Sequence, residues 1–318
     1  MPIAESESMH GQNEDMRKST ILIGGGVIAT HYVRGLENSE TLRLDALVDT
    51  NPDCAARRLF SVPFFTDVNE ALRLEPQVAI LALPVALHGP VACELLSRGV
   101  DVITEKPMFA TLREMDESLA FARECGRELV CMFHWTAASE VRFLKENLHR
   151  FGRIKSLFTE VRDDYAATAD GSIRADRRGL MGAWLDSGIN ILSYFDEIVD
   201  LGEAVLAGED IETDVRSGLP KYVRKEFRAG DVSAVIVVDW RENNESKISR
   251  IECEAGEIFV NHMEQEVRLN GEVIFSCPVA DRLSSHYENL FRDFSPGRAA
   301  AGKNTVLLHN LLFKGCAK

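Results

Sequence analysis

Residues 19–31, STILIGGGVIATH, decide the fold of this chain. The apolar run Ile21–Ile23 predicts a buried strand, and the glycines after it predict a tight turn that opens into a helix. Gly24 permits the sharp turn, Gly26 lets a ligand approach the backbone, and Ala29 is small enough for the helix to lie against the strand. The spacing G-x-G-x-x-A is typical of the first strand, turn and helix of a dinucleotide-binding βαβ unit.

The glycine turn predicts a site for the phosphates of a dinucleotide. Backbone N–H groups at Val27 and Ile28 lie at the beginning of the helix, at the positive end of its dipole. The alternative is a glycine-rich turn that binds nothing, and the motif alone does not decide. A second apolar run, Leu42–Val48, ends in Asp49 and Thr50, where a carboxylate is expected to bind the adenosine ribose hydroxyls. Because that carboxylate repels a 2′-phosphate, NAD is the expected cofactor and NADP the alternative.

Length and composition restrict the class of protein. The 318 residues suit two domains, and 45% hydrophobic with 27% charged residues is the composition of a globular protein. A net charge of −14 argues against a nucleic-acid backbone or an anionic membrane as partner, and no apolar run is long enough to span a bilayer. Residues 1–17 are polar and carry no secretory signal, which predicts a disordered leader on a cytoplasmic protein.

Cysteine usage predicts reduced thiols and no metal site. The seven cysteines are scattered, odd in number and never in C-x-x-C spacing. They are Cys54, Cys93, Cys125, Cys131, Cys253, Cys277 and Cys316.

The rhythm of the chain changes near residue 135, which predicts two domains. Residues 18–135 alternate apolar runs with helix-compatible stretches, including an expected helix from Asn51 to Leu59, and this is the pattern of an α/β Rossmann domain. Residues 136–318 predict an α+β domain with a largely antiparallel open sheet, because strand-like segments follow one another without helices between them. These segments are Ile154–Val161, Ile211–Arg216, Val232–Trp240, Ile248–Cys253, Glu257–Val260, Glu266–Leu269 and Val273–Ser276.

Two further motifs could carry chemistry. Glu105-Lys106-Pro107 directly follows a predicted strand, at the carboxyl edge of the sheet where such folds bind ligands. In residues 184–190, WLDSGIN, Asp186 and Asn190 are four residues apart and so share one face of a predicted helix. The ordinary alternatives are a solvated loop lysine and polar residues hydrogen-bonded under the sheet.

In this order, the motifs resemble the glucose–fructose oxidoreductase/inositol dehydrogenase (Gfo/Idh/MocA) family. The resemblance rests on the glycine turn, Leu47-Val48-Asp49, Pro84 with His88, Glu105-Lys106-Pro107 and residues 184–190. It implies that Lys106 lies beside the nicotinamide and contacts the reacting hydroxyl, with Asp186 as its partner from the second domain. It also implies a set of residues in or near the cofactor site, namely Leu83, Pro84, His88, Glu105 and Lys106.

One departure from the family pattern redirects the expected chemistry. The family has Asp-x-x-x-His where this chain has Asp186 and Asn190, and an amide cannot take a proton. Asp-x-x-x-Asn resembles the family's aldose 1-dehydrogenases, the arabinose and galactose enzymes. A sugar's anomeric hydroxyl is more acidic because the ring oxygen withdraws electron density. We therefore expect hydride transfer between C1 of an aldose and NAD(P), giving a lactone, with Lys106, Asp186 and Asn190 as catalytic residues.

The identity of the sugar stays open. The aldose enzymes have Trp-His-Ser-Arg after the sixth strand, whereas this chain has Phe133-His134-Trp135-Thr136 and lacks the arginine. His134, Trp135 and Asp163 are weaker substrate-binding candidates, whose alternatives are packing and a solvated acidic loop. A ketosugar reductase or dehydrogenase acting at another ring position has the same motifs. A non-catalytic dinucleotide-binding sensor is the other alternative. The resemblance also implies a homo-oligomer, a dimer or tetramer, formed through the second-domain sheet.

Overall fold

The computed structural model describes residues 16–294 and 304–315, so most of the predicted leader and Cys316 lie outside the described residues. Two sheets are present. The first is built from β1 Lys18–Ile23, β2 Leu42–Val48, β3 Phe64–Phe65, β4 Val78–Leu81, β5 Asp101–Thr104 and β6 Leu129–Cys131. Its helices are α1 Val33–Glu37, α2 Val68–Ala71, α3 His88–Ser97 and α4 Leu112–Cys125, and short 3₁₀ helices span Ile28–Tyr32, Leu72–Leu74 and Val85–Leu87.

The strand order of the first sheet, β3-β2-β1-β4-β5-β6, confirms the predicted Rossmann architecture. All its pairings are parallel, with Ile21 beside Ala46 on one side and Ala79 on the other. The order reverses between β1 and β4, which opens a crevice beyond the carboxyl ends of these strands. The glycine turn leaves β1 at this crevice, and Glu105-Lys106-Pro107 leaves β5 at the same edge.

The expected helix from Asn51 to Leu59 is wrong, because this segment forms successive turns. The carbonyl of Asn51 accepts from the N–H of Cys54 at 3.1 Å, which is turn rather than α-helical spacing. The N–H of Ala56 instead donates to the carbonyl of Gly25 at 2.9 Å. The segment is therefore fastened to the glycine turn, and this contact between distant residues overrides local propensity.

The second sheet follows α5 Ser139–Phe151. A 3₁₀ helix Ala175–Leu180 and a π-helical turn Trp184–Gly188 lead into α6 Ile189–Asp196. The eight strands are β7 Ile154–Arg162, β8 Val205–Thr213, β9 Pro220–Ala229, β10 Val232–Asp239, β11 Ser246–Cys253, β12 Gly256–Asn261, β13 Glu266–Leu269 and β14 Glu272–Ser276. The chain continues with α7 Arg282–Asp293 and α8 Thr305–Phe313.

The order β14-β13-β12-β11-β7-β10-β9-β8 confirms a largely antiparallel open sheet, in which β7 and β10 are the parallel pair among the described strands. The sequence did not reveal β9. Its inward positions include the fully buried Lys225 between Val223 and Phe227, so the apolar alternation is interrupted where a strand would otherwise be evident.

Helix α7, although it follows the second sheet in the chain, packs against the first domain beside Tyr32. The ring of Tyr32 lies 4.6 Å from the ring of Tyr287 and 5.4 Å from the ring of Phe291. The hydroxyl of Ser39 donates to the carbonyl of Phe291 at 3.1 Å. The division at residues 135 and 136 stays a prediction, and α7 shows that the second half of the chain also covers the first. No helix in the described part of the chain is long and apolar enough to cross a membrane.

Candidate active site

The glycine turn has the geometry that a dinucleotide requires. Gly24 adopts φ +101°, and a Cβ there would lie 2.3 Å from the carbonyl oxygen of Ala82, so only glycine fits. A Cβ on Gly26 would meet nothing within 4 Å, which leaves open space over the turn. Within the described residues, the N–H groups of Gly26 and Val27 donate to no protein acceptor. These residues therefore fit the diphosphate of NAD.

Asp49 lies at the carboxyl end of β2 beside this turn. Its Oδ2 accepts from the N–H of Gly25 at 2.6 Å, and its Oδ1 accepts from the N–H of Asn51 at 2.8 Å. Each carboxylate oxygen has two acceptor positions, so ribose hydroxyls can still bind there. Thr50, the next predicted cofactor residue, is exposed. Asp49 thus stabilises the glycine turn through these hydrogen bonds. It also lies where the adenosine ribose is expected to bind.

Glu105 is buried and held by two tyrosines from distant parts of the chain. Its Oε1 accepts from the hydroxyl of Tyr32 and, at 2.5 Å, from that of Tyr287, while its Oε2 accepts from the N–H of Lys106 at 3.0 Å. Burial, and then the charge of Glu105, raise the pKa of both tyrosines well above its ordinary value. Glu105 was predicted near the cofactor, and these contacts make it the anchor of the Lys106 loop.

His88, another predicted cofactor residue, also joins two loops. It is 1% exposed, with Nδ1 3.0 Å from the carbonyl oxygen of Met108 and Nε2 2.9 Å from that of Leu83. The N–H of Met108 donates in turn to Nε2 of His309, from α8, at 2.9 Å. The histidine ties the loop after β4 to the loop that carries Lys106, so its ring nitrogens are engaged with the protein.

Lys106 and Asp186 meet, although they are eighty residues apart. The ammonium of Lys106 lies 2.9 Å from Oδ1 of Asp186 and donates to its carbonyl oxygen at 2.8 Å. Burial by itself would lower the pKa of Lys106, but the negative charges of Asp186 and Glu105 outweigh it and the pKa is raised. The lysine is therefore a cation at neutral pH.

Asn190 lies one turn beyond Asp186, after the π-helical turn. Its Nδ2 donates to the carbonyl oxygen of Asp186 at 3.3 Å. Its Oδ1 is buried and has no hydrogen-bond partner in the described part of the chain. A buried acceptor without a partner costs free energy, so this oxygen is placed to accept from a ligand hydroxyl.

Two cavities meet at this pair. A cavity of about 210 Å³ lies on the glycine-turn side, lined among others by Ile28, Leu83, Pro84, His88, Lys106 and Asp186. A larger one of about 400 Å³ extends toward the second sheet, and it includes Ile28, Lys106, Asp186 and Asn190. The larger volume lies in the range that small-molecule ligands occupy. Lys106 and Asp186 thus face both spaces.

The weaker substrate candidates also line the larger cavity. His134 is 6% exposed with Nδ1 3.2 Å from Nδ1 of His286, and burial together with His286 lowers its pKa well below the ordinary value. Trp135 is 3% exposed, and its ring packs 4.9 Å from that of His262. Asp163 accepts from the ammonium of Lys247 at 2.5 Å. Trp135 contributes mainly packing, whereas Asp163 belongs to an ion pair in the wall.

Sequence reasoning missed four residues of this region, namely Tyr32, Tyr287, Lys247 and Arg282. None of them stands in a spacing motif with the residues that it joins, because each comes from a different element. In the described part of the chain, no group of three or more His, Cys, Asp or Glu side chains is arranged to hold a metal ion.

The fold and this site define an oxidoreductase with an NAD-binding Rossmann domain. The model of the Gfo/Idh/MocA family, described as an oxidoreductase family with an NAD-binding Rossmann fold, matches residues 18–133. The match confirms the predicted resemblance to that family over this part of the chain. A comparison with curated protein sequences finds no significant match.

Solved structures share the whole fold at low sequence identity. An oxidoreductase from Agrobacterium radiobacter, in complex with NAD⁺, L-tartaric acid and magnesium, is 13% identical with a TM-score of 0.76 over 93% of this chain and 94% of its own. D-galactose-1-dehydrogenase from Rhizobium etli is 20% identical with a TM-score of 0.75 over 94% of each chain. A mutant 3-ketoreductase from Actinomadura kijaniata, in complex with TDP-benzene and NADP, is 17% identical with a TM-score of 0.76 over 93% and 96%.

Proposed function

We propose that this protein is an NAD-dependent sugar dehydrogenase that oxidises C1 of an aldose to a lactone, with NADP as the alternative cofactor. The observation that carries the proposal is the contact between Lys106 and Asp186, 2.9 Å apart where the two cavities meet. A carboxylate can take the proton of a hydroxyl, and a cation beside it can stabilise the alkoxide that develops. The similarity in fold to a galactose 1-dehydrogenase supports a sugar as the substrate.

The protein's part in the reaction follows from the positions of three side chains. Lys106 donates a hydrogen bond to the C1 oxygen and stabilises its developing negative charge. Asp186 accepts the proton of the C1 hydroxyl, and Oδ1 of Asn190, which accepts from no described residue, orients a sugar hydroxyl. The nicotinamide, when bound, accepts the hydride from C1.

The choice of C1 rests on Asn190. An amide cannot take a proton, so Asp186 is the proton acceptor beside Lys106. A hydroxyl at C1 loses its proton more readily than other ring hydroxyls because the neighbouring ring oxygen withdraws electron density. A site with one carboxylate is therefore better matched to C1 than to an ordinary secondary alcohol.

A ketosugar reductase or dehydrogenase is the second candidate, supported by the 3-ketoreductase of similar fold. The same Lys106–Asp186 pair would serve a carbonyl elsewhere on the ring. We expect either enzyme to act in the cytoplasm as a homo-oligomer, a dimer or tetramer formed through the second sheet.

The test is a panel of aldoses with NAD⁺, with NADH formation followed and the product examined for a lactone. Lys106→Ala should lower kcat by about 10³-fold or more, because a charge aimed at the oxyanion is lost. Its affinity for NADH should stay within a few-fold, because the glycine turn and Asp49 are untouched. Near-normal kcat in this variant would refute the assignment of Lys106. Oxidation at a carbon other than C1 would favour the second candidate.

A further inference from the structure

The guanidinium of Arg282 lies in the wall of the larger cavity, where no described residue pairs with it. Arg282 is the first residue of α7, and its Nη1 is buried with no hydrogen bond to the described residues. No ion pair joins its side chain to any carboxylate in the described part of the chain. Burial lowers its pKa, although Glu140 and Asp163 act in the opposite direction. These carboxylates act on Arg282 from a distance, and a buried donor that makes no hydrogen bond costs free energy unless a ligand supplies the acceptor.

The other cations of this wall are already paired. Lys106 contacts Asp186 at 2.9 Å, and Lys247 contacts Asp163 at 2.5 Å. Arg177 lies 3.3 Å from Asp176 and stacks over the ring of Tyr165. The Nε of Arg177 also lacks a hydrogen bond to the described residues, but Asp176 lies beside it, whereas Arg282 has neither an ion pair nor a hydrogen bond among them. Arg282 is therefore the cation of this wall that is left for a ligand.

The carboxylates near Arg282 are engaged with other groups or with water. Asp281 caps α7 by accepting from the N–H of Ser284 at 3.0 Å, and it also lies 3.4 Å from His31. Asp163 is held by Lys247. Glu245 lies on the rim of the cavity and is exposed, so water solvates its charge. Glu140, whose charge also acts on Arg282, is buried and lies 2.9 Å from Nδ1 of His262. Glu245 is therefore the competitor on the solvent side, which an experiment must exclude.

We propose that Arg282 binds a carboxylate of the substrate, so that the aldose is an acidic sugar of the hexuronate type. This inference rests on the function proposed above and adds the substrate class. Lys106 and Lys247 are paired with Asp186 and Asp163, so Arg282 is the cation of this cavity for which a substrate would supply the partner. A carboxylate suits this role, because its planar shape matches the guanidinium fork.

Oδ1 of Asn190, which no described residue contacts as a donor, sets a second condition that the ligand must meet. It needs a hydrogen-bond donor, whereas Arg282 needs an acceptor, and a polyhydroxy acid offers both. In the reaction, the hydride leaves C1 for the nicotinamide and the proton of the C1 hydroxyl goes to Asp186. The carboxylate at Arg282 stays ionised and unreacted. Arg282 therefore binds ground state and transition state alike, and its loss should act mainly on KM.

The experiment compares matched pairs of sugars with NAD⁺: glucuronate with glucose, and galacturonate with galactose. The wild-type kcat/KM should be about 10-fold or more higher for the acid of each pair. Arg282→Gln should lower kcat/KM for the acids by roughly 10–100-fold, mainly through KM, and change it for the neutral sugars only a few-fold. The control Glu245→Gln should not weaken the acids. Preference for the neutral sugars, or an equal loss for both classes in Arg282→Gln, overturns the proposal.

Two further arms separate the outcomes. Glucose 6-phosphate tests whether the anion is a phosphate, and Arg282-dependent turnover of it above that of the uronates overturns the carboxylate assignment. Thermal stabilisation of the NADH complex by glucuronate, lost in Arg282→Gln, supports the inference even if no sugar is oxidised and the proposed function fails. Lactone formation from neutral sugars alone supports the function and overturns the inference. If Arg282→Gln does not fold, Arg282→Lys takes its place and should show a partial loss with the acids alone.

Discussion

The two walls of the site differ in how their polar groups are satisfied. On the cofactor side, Glu105 accepts from two tyrosines and a backbone N–H, and both nitrogens of His88 face carbonyl oxygens. On the substrate side, Oδ1 of Asn190 and Nη1 of Arg282 are buried without partners in the described residues. The polar side chains of the first wall are paired within the protein, and its open groups are the backbone N–H groups of the glycine turn. The second wall instead has buried side-chain atoms that a ligand could satisfy. We infer that the first wall sets the position of Lys106 and the second selects the substrate.

A closed polar network suits the loop that carries Lys106. The loop is fixed by Glu105 on one side and by Met108, bound to His309, on the other. Buried hydrogen bonds that are fully satisfied rigidify their surroundings. Lys106 therefore meets Asp186 as part of a preorganised arrangement, which is the condition for stabilising charge in a transition state.

The largest effect is expected from removing the proton acceptor. Asp186→Asn keeps an oxygen for the ammonium of Lys106 but cannot take a proton, so kcat should fall about 10²–10⁴-fold. The matched control is Asp163→Asn, because Asp163 is also a carboxylate of this cavity paired with a lysine. It should raise KM and leave kcat within a few-fold. Steady-state kinetics on the best sugar measures both, and the reverse pattern would make Asp163 the acid–base residue.

A smaller effect, on stability, should follow from removing one hydrogen bond to Glu105 on the cofactor side. Tyr287→Phe removes one donor to the buried carboxylate of Glu105 and should lower the free energy of unfolding by about 1.5–3 kcal/mol. Tyr222→Phe is the control, because the hydroxyl of Tyr222 makes no hydrogen bond to the described residues. It should change stability by less than about 0.5 kcal/mol. Denaturant unfolding compares the two, and equal values would show that the tyrosine pair is not a stabilising network.

The sequence predicted the first wall better than the second for a physical reason. The glycine turn, Asp49 and Lys106 follow the carboxyl ends of the parallel strands β1, β2 and β5, so local pattern and fold order are enough to bring them to one edge. The meeting of Lys106 with Asp186 was expected from the family resemblance rather than from spacing. Arg282 and Lys247 reach the cavity through α7 and β11, and no local pattern specifies such long-range packing. Strand β9 was not predicted for the same reason, since tertiary contacts bury Lys225 within it.

The smallest effect concerns the link between α8 and the Lys106 loop, and it depends on pH. His309 donates through Nδ1 to the carbonyl of Thr305 at 2.8 Å and accepts through Nε2 from the N–H of Met108, so only its neutral form fits. Burial lowers its pKa to about 4. Between that value and about 6.5, the unfolded chain binds a proton that the folded chain refuses, so stability falls as the pH falls.

Replacing this histidine should flatten the pH dependence of stability. Between about pH 7.5 and about pH 5, the wild type should lose about 2 kcal/mol more free energy of unfolding than His309→Gln. The contributions of His134 and His286, whose pKa values are also lowered, are common to both proteins and cancel in this difference. His149→Gln, an exposed position on α5, should leave the wild-type pH dependence unchanged. Parallel curves for the wild type and His309→Gln would mean that α8 is not held to the loop by a neutral histidine.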